Sequence, residues 1–303
     1  MAKFGLIGTI TSDSISYQSG RTFEGIGGVL YQAASLCGFG HSVFLYTNLG
    51  GDLAASVNPL IRDWLNLSRP GIRIVPGPGN RVRLHYPAEG ERIEVLESVV
   101  PPLDPRPIIA HLPTLDMLLL IVNSGFDIEL RDWRKIVDAA RCPIWLDVHS
   151  LPLDRVLGEH REYVSLPEWA DWARGVDYLQ ANRQEVASML SHPRILATEK
   201  ELGAFSEQAF ELGVKAVFIT LGKEGVQLMT PRAMKRIAAP GVHPVVDSTG
   251  CGDVFCAGVV VRLADGQTPF DAASHGVEMA SKAVSLAGIK ETYEMAKAAK
   301  SSR

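Results

Sequence analysis

Short apolar runs rich in Val, Ile and Leu recur along the chain, separated by longer stretches of helical period. The runs are Lys3–Gly8, Ser42–Tyr46, Leu118–Val122, Ile144–Asp147, Tyr178–Gln180 and Ala216–Leu221. Between them lie the amphipathic segments Val29–Cys37, Glu129–Ala140, Ser206–Leu212 and Pro269–Leu286. Continuous apolar strands alternating with helices predict βαβ units and a mostly parallel sheet of about nine strands, covered on both faces.

Two segments break this rhythm. Residues 11–25 are rich in Ser, Thr and Gly and read as extended chain. Residues 72–98 read as three strands, Ile72–Val75, Arg81–Tyr86 and Arg92–Leu96, parted by the turn signals PGPGN and PAEG. In RVRLHY the period of two places Val82, Leu84 and Tyr86 on one face and Arg81, Arg83 and His85 on the other, solvated face. No helix interrupts these strands, so the two segments are expected to form a small antiparallel sheet, a lid on one α/β domain spanning 1–303. The run PPLDPRP is expected to be neither helix nor central strand, and the tail KAAKSSR to fray.

Composition narrows the function. The 303 residues are 46% hydrophobic and 21% charged, with a net charge of −4 and no long basic run, which argues against a nucleic-acid partner. No apolar stretch reaches membrane-spanning length, and the N-terminus lacks a signal-peptide pattern. The four cysteines, Cys37, Cys142, Cys251 and Cys256, form no CxxC pair. A reducing, cytoplasmic location fits them better than a disulfide scaffold.

The chemistry concentrates in VVDSTGCGDVFCAGVVVRLADG, residues 245–266. An apolar run leads through an acidic turn and a glycine-rich loop into Val254–Leu263, a helix apolar nearly all round and therefore expected to be buried. Gly250 and Gly252 permit a sharp turn and close ligand approach. The helix N-terminus beside them offers free N–H groups and partial positive charge to an anion. Asp253 stands at that anion-binding end. For an isolated Asp a dipole partner would be the simpler role. After a GxG turn, a base poised to take a hydroxyl proton while amides hold a phosphoryl group is the sharper reading.

The stretch Asp247 to Gly258, DSTGCGDVFCAG, closely resembles the signature of the PfkB carbohydrate kinases, whose fold is ribokinase-like. The resemblance implies ATP-dependent phosphoryl transfer to the hydroxyl of a small sugar-like molecule, with Asp253 as base and the N–H groups of Gly250, Cys251 and Gly252 as the anion hole. Cys251 stands where Ala is usual, and a small inert filler is its default role. Ser248 stands where Thr is common.

Other positions extend the resemblance. Gly27 and Gly28 correspond to a Gly-Gly turn abutting the acceptor, and Tyr31 (or Gln32, one residue on) takes a place where relatives carry Asn. Asp13 falls where relatives hold substrate hydroxyls, although an Asx turn would also explain it. Asn182 and Glu185 in NRQE resemble the motif that orders magnesium (Mg2+), its waters and phosphate, and they also spell a helix capping box. Thr220, Gly222 and Gly225 in TLGKEG resemble the ATP loop, and Ser281 is a candidate adenine-pocket residue. Asp247 and Thr249, with backbone near Gly288, correspond to the monovalent-cation (K+) site of some relatives. Asp147 opens DVHS, where His149 is expected to bond locally; Trp169 and Trp172 are expected in the core. An exposed lid edge implies a homodimer through the lid.

Three other readings share these residues. One is a nucleoside or vitamin-precursor kinase on the same fold, which the Tyr31 departure favours. Another is a non-catalytic sugar- or nucleotide-sensing protein, against which the intact GxGD counts. The third, a dinucleotide oxidoreductase, is weak because Gly5–Gly8 lacks the GxGxxG spacing.

Overall fold

The computed structural model describes residues 1–87, 93–241 and 245–301. In chain order its strands are β1 (Lys3–Ile7), β2 (Ile10–Tyr17), β3 (Thr22–Gly28), β4 (Ser42–Gly50), β5 (Leu67–Ser68), β6 (Ile72–Val75), β7 (Asn80–Tyr86), β8 (Ile93–Ser98), β9 (Met117–Ile121), β10 (Ile144–Asp147), β11 (Tyr178–Asn182), β12 (Ala216–Thr220), β13 (Val226–Thr230) and β14 (Ala233–Ile237). The helices are α1 (Leu30–Gly38), α2 (Ala54–Ile61), α3 (Pro105–His111), α4 (Leu130–Ala139), α5 (Trp169–Ala173), α6 (Arg183–Met189), α7 (Glu199–Glu211), α8 (Cys251–Ala264), α9 (Pro269–Ala283) and α10 (Gly288–Ser301).

Ten strands form the main sheet, in the order β14-β13-β12-β11-β10-β9-β1-β4-β5, with β6 also paired to β4. All its pairs are parallel except β12–β13 and β13–β14. Strand alternation sorts the side chains into two cores. Phe4, Leu6, Leu45, Leu119 and Phe218 pack with α1, α2, α8, α9 and α10. Ile7, Leu118, Leu120, Leu146 and Ile219 pack with α3 to α7, where Trp169 and Trp172 are buried as expected. Helices α8 and α9 approach closely. A Cβ on Gly258 would lie 2.8 Å from the Cα of Gly276, so glycines let the two backbones touch.

The second sheet runs β3-β2-β7-β8. Val82 and Leu84 turn inward as their alternation required, and meet Ile15 and Leu96 in a small separate core. Four expectations need correction. Ile72–Val75 is not part of this sheet: β6 adds to β4 of the main sheet, in parallel. The small sheet is not purely antiparallel, because β2 and β7 run parallel. The PPLDPRP run does contain helix, since α3 starts at Pro105, where the missing N–H costs nothing, behind an Asp104 side chain that caps Arg106 N. The tail is helical through Ser301 rather than frayed, and Ser302 and Arg303 lie outside the described residues. Arg92 and residues 88–90 of the PAEG turn lie outside the described residues.

The edge of β8 is covered by the chain itself. Gly158 N donates to Leu96 O and Arg161 N to Glu94 O, so residues 157–161 lie along this edge. Beneath them the Arg161 guanidinium, fully buried, pairs with Glu94 at 3.0 Å and donates to the carbonyl of Asp154 at 2.8 Å.

Candidate active site

Where β10, β11 and β12 end, their carboxyl termini share a register: Asp147 opposes Gln180, and Asn182 opposes Thr220. In parallel α/β sheets ligands bind outside these strand ends. A cavity of about 1140 Å³ opens there, bounded by Asp147, Asn182, Glu185, Thr220 and Gly222 on the sheet side and by Thr249, Gly250, Gly252 and Asp253 on the other. The small sheet borders it with Tyr86, Ile93 and Glu94, and the 153–163 segment with Leu153, His160, Arg161 and Tyr163.

The glycine loop is built for close approach. Gly250 caps α8 with φ +77°, a left-handed conformation, and a Cβ there would fall 2.5 Å from the ring of Tyr31. No other residue fits that position. Of the three amides expected to form an anion hole, Cys251 N–H is engaged by Ser248 O at 3.3 Å. The amide of Gly252 belongs to the first helical turn and has no intrahelical acceptor. Gln180 Nε2 donates to Gly252 O at 3.2 Å and so supports the loop from β11, while its Oε1 is buried without a partner. The Cys251 thiol is pushed up to about 12 by burial and then by Asp247 and Asp253, so it stays protonated and unreactive, in keeping with a filler.

Asp253, in the first turn of α8, is buried but reaches the cavity wall. It shares this end of the cavity with Asp147 and Glu185. Burial first, then the charges of Glu185 and Asp253, hold the Asp147 carboxyl well above the usual range. Glu185 completes the expected capping box: its carboxylate accepts from Asn182 N at 2.7 Å and from Asn182 Nδ2 at 2.6 Å, while Asn182 Oδ1 accepts from Glu185 N. Three gathered carboxylates make a place that gains from a cation. Among the described residues no three His, Cys, Asp or Glu side chains come close enough to hold a metal directly. Carboxylate oxygens are of the donor type that magnesium takes, usually with several of its waters kept.

Several expected site residues are not on the wall of this cavity. Asp13, Gly27, Gly28 and Tyr31 do not line the cavity. They pack against one another and, through the Tyr31 ring, against Gly250 of the glycine loop: a Cβ on Gly27 would collide with Asp13 Oδ2, and one on Gly28 (φ +63°) with Thr9 O. Burial, then Asp247, Asp13 and Asp253, raise the Tyr31 phenol, which stays protonated among those carboxylates. The missing side chain of Gly225 makes room for Ile237 O of β14, 2.0 Å from a Cβ there, whereas Gly222 faces open space. Ser281 sits half-buried on α9, off the cavity wall. Asp247 turns its Oδ1 to its own loop, accepting from Thr249 N at 2.9 Å, and to the hydroxyl of Tyr17 at 3.2 Å. His149, with φ +37°, bonds Ser150 Oγ at 2.8 Å, the local role expected of it.

Sequence reasoning missed Gln180, the wall formed by His160, Arg161 and Tyr163, and the weight of Asp147. The signal for Asp147 was available, because an Asp closing an apolar run falls at a strand's carboxyl end.

Residues 157–295 match the family model of the pfkB family carbohydrate kinases. The structure superposes on Arabidopsis thaliana ribokinase complexed with ribose and ATP, with a TM-score of 0.74 at 17% identity, covering 98% of this chain and 99% of that one. The fold is ribokinase-like. The same ribokinase-like fold superposes on a Burkholderia thailandensis nucleoside kinase in complex with inosine, with a TM-score of 0.75 at 16% identity, covering 99% of this chain and 97% of that one. In sequence, a Staphylococcus aureus (strain COL) ribokinase is 31% identical over 111 residues, 37% of this chain and 34% of the relative. The aligned segment thus spans about a third of that relative's length. Among the described residues no helix is long and apolar enough to cross a membrane.

Proposed function

We propose that this protein is a phosphotransferase that moves the γ-phosphate of ATP to a hydroxyl of a small sugar-like molecule, with Asp253 as general base. One observation carries the reading: a buried aspartate stands on a cavity wall in the first turn of a helix whose glycine cap is forced into the left-handed region. The base and the amides that would receive the transferred charge are thereby fixed a residue apart, the pairing that phosphoryl transfer requires. The pfkB match over residues 157–295 covers this same turn and supports the reading.

In this reading the nucleotide phosphates lie along Asn182, Thr220 and Gly222, and the acceptor between Asp253 and the lid. Asp253 takes the acceptor's proton as its oxygen attacks in line, and the first-turn amide of Gly252 holds charge on the phosphoryl oxygens. Gln180 keeps that turn in place through Gly252 O. Magnesium, when bound, offsets the phosphate charge near Glu185 and Asp147. Lid closure excludes water, whose attack would waste ATP.

A nucleoside acceptor is the second reading. Tyr86, Ile93, Leu153 and Tyr163 give the lid end of the cavity an apolar, aromatic wall on which a base could lie. A coupled ADP-release screen against sugars, nucleosides and cyclitols decides between the two. Turnover with a sugar or cyclitol supports the first, and turnover with nucleosides alone replaces it. ATP binding without turnover on any acceptor would point to a sensor.

A further inference from the structure

The tip of the lid is fastened to the glycine loop by side chains that no motif announced. Tyr17 and Tyr86 face each other in register at the ends of β2 and β7, and their rings stack at 5.2 Å with 14° between planes. The Tyr17 hydroxyl donates to Asp247 Oδ1 at 3.2 Å, and the Tyr86 hydroxyl lies 3.5 Å from Thr249 Oγ1. Beside them Arg21 Nη1 donates to Val246 O at 3.1 Å. The Phe23 ring of β3 covers Gly288, 3.6 Å from where a Cβ would stand. The three places that the family resemblance assigns to a monovalent cation are thus each met by a lid aromatic. A cation of potassium's size binds through unshared oxygen lone pairs. Here Asp247 Oδ1 already accepts two hydrogen bonds. With the lid engaged, this oxygen of Asp247 is not open to K+.

We infer that Tyr17 is a positioning residue that does at Asp247 what a cation would do: its hydroxyl, delivered by lid closure, holds the loop that carries Asp253, and the protein needs no K+. A phenol hydroxyl is a hydrogen-bond donor throughout the physiological range. Occupation of the acceptor site would then be coupled to the setting of the glycine loop, because the lid that covers the acceptor also supplies the loop's fastening.

The kinetic part of the test rests on the function proposed above; the other parts do not. Wild type and Tyr17→Phe are compared at matched ionic strength in potassium, sodium and tetramethylammonium chloride. Melting temperature, hydrogen exchange of the amides at 246–250, and kcat and KM are measured. The wild-type melting temperature is expected to be the same in all three salts. Tyr17→Phe is expected to exchange faster at 246–250. It is also expected to lose about tenfold in kcat, with KM for ATP unchanged, the scale of one hydrogen bond to a charged group. A melting temperature raised by potassium alone, or unchanged exchange in Tyr17→Phe, overturns the inference. Absence of turnover with every acceptor overturns the proposed function and leaves the melting and exchange results to judge the fastening.

Discussion

Replacing Arg161 by Met removes a buried tie between the small sheet and the 153–163 segment. The guanidinium is fully buried, its partner Glu94 nearly so, and the pair joins β8 of the lid to the 153–163 segment at 3.0 Å. Burial, as the largest influence, lowers the Arg161 pKa against the opposing pull of Glu94, so this charge is held at the expense of hydration. Removing either member takes from the other its buried counter-ion at 3.0 Å, a loss of about 3–5 kcal/mol, whereas replacing both by apolar side chains is often close to neutral. Arg161→Met and Glu94→Met should therefore each cost about 3–5 kcal/mol. The double variant should cost less than either, about 1–3 kcal/mol, because the Asp154 carbonyl still loses its donor. Urea unfolding of the four proteins measures this cycle, and each single variant should melt roughly 10 °C below wild type. If the double variant costs as much as the sum of the two singles, the pair is not coupled and the lid is held by other contacts.

Three further outcomes follow from the same coordinates. The Asp147 carboxyl is raised in the folded state, so its stabilising contribution is complete only below the unfolded value of about 3.9 and is lost as pH climbs through the folded value. Asp147→Asn should accordingly raise the melting temperature of the nucleotide-free protein at mildly alkaline pH and change it little in acid; the reverse ordering would show that Asp147 is not held protonated. Gly258→Ala places a methyl 2.8 Å from the Gly276 backbone, and should cost about 1–3 kcal/mol in urea unfolding. Asn182→Ala removes the cap of α6, and should lose about 1 kcal/mol together with ATP affinity measured by titration calorimetry.

How much could be read from the chain depended on how local the determinant was. The parallel sheet was legible because buried strands and amphipathic helices each carry their period within a dozen residues. The capping box at Asn182 and Glu185, and the turn before Asp253, were legible for the same reason. Ile72–Val75 went to the wrong sheet because a four-residue run states that it is a strand and not which strand it joins. Pro105 was read as a breaker when, at the first helical position, it is a starter. The residues packed against the glycine loop show the limit for the site. Asp13, Gly27 and Tyr31 do converge near Asp253, yet whether they face the cavity is decided by how the small sheet is packed. The Tyr17–Asp247 bond spans 230 residues of sequence, and nothing near either residue hints at the other.

In the proposed reaction the carboxylate of Asp253, rather than the cavity around it, removes the acceptor's proton. Turnover of Asp253→Asn on the acceptor found in the screen, measured beside its ATP affinity, tests this most directly. The variant should bind ATP as wild type does and lose at least about 10²-fold in kcat, the lower range for a general base. Full turnover by Asp253→Asn would contradict the account.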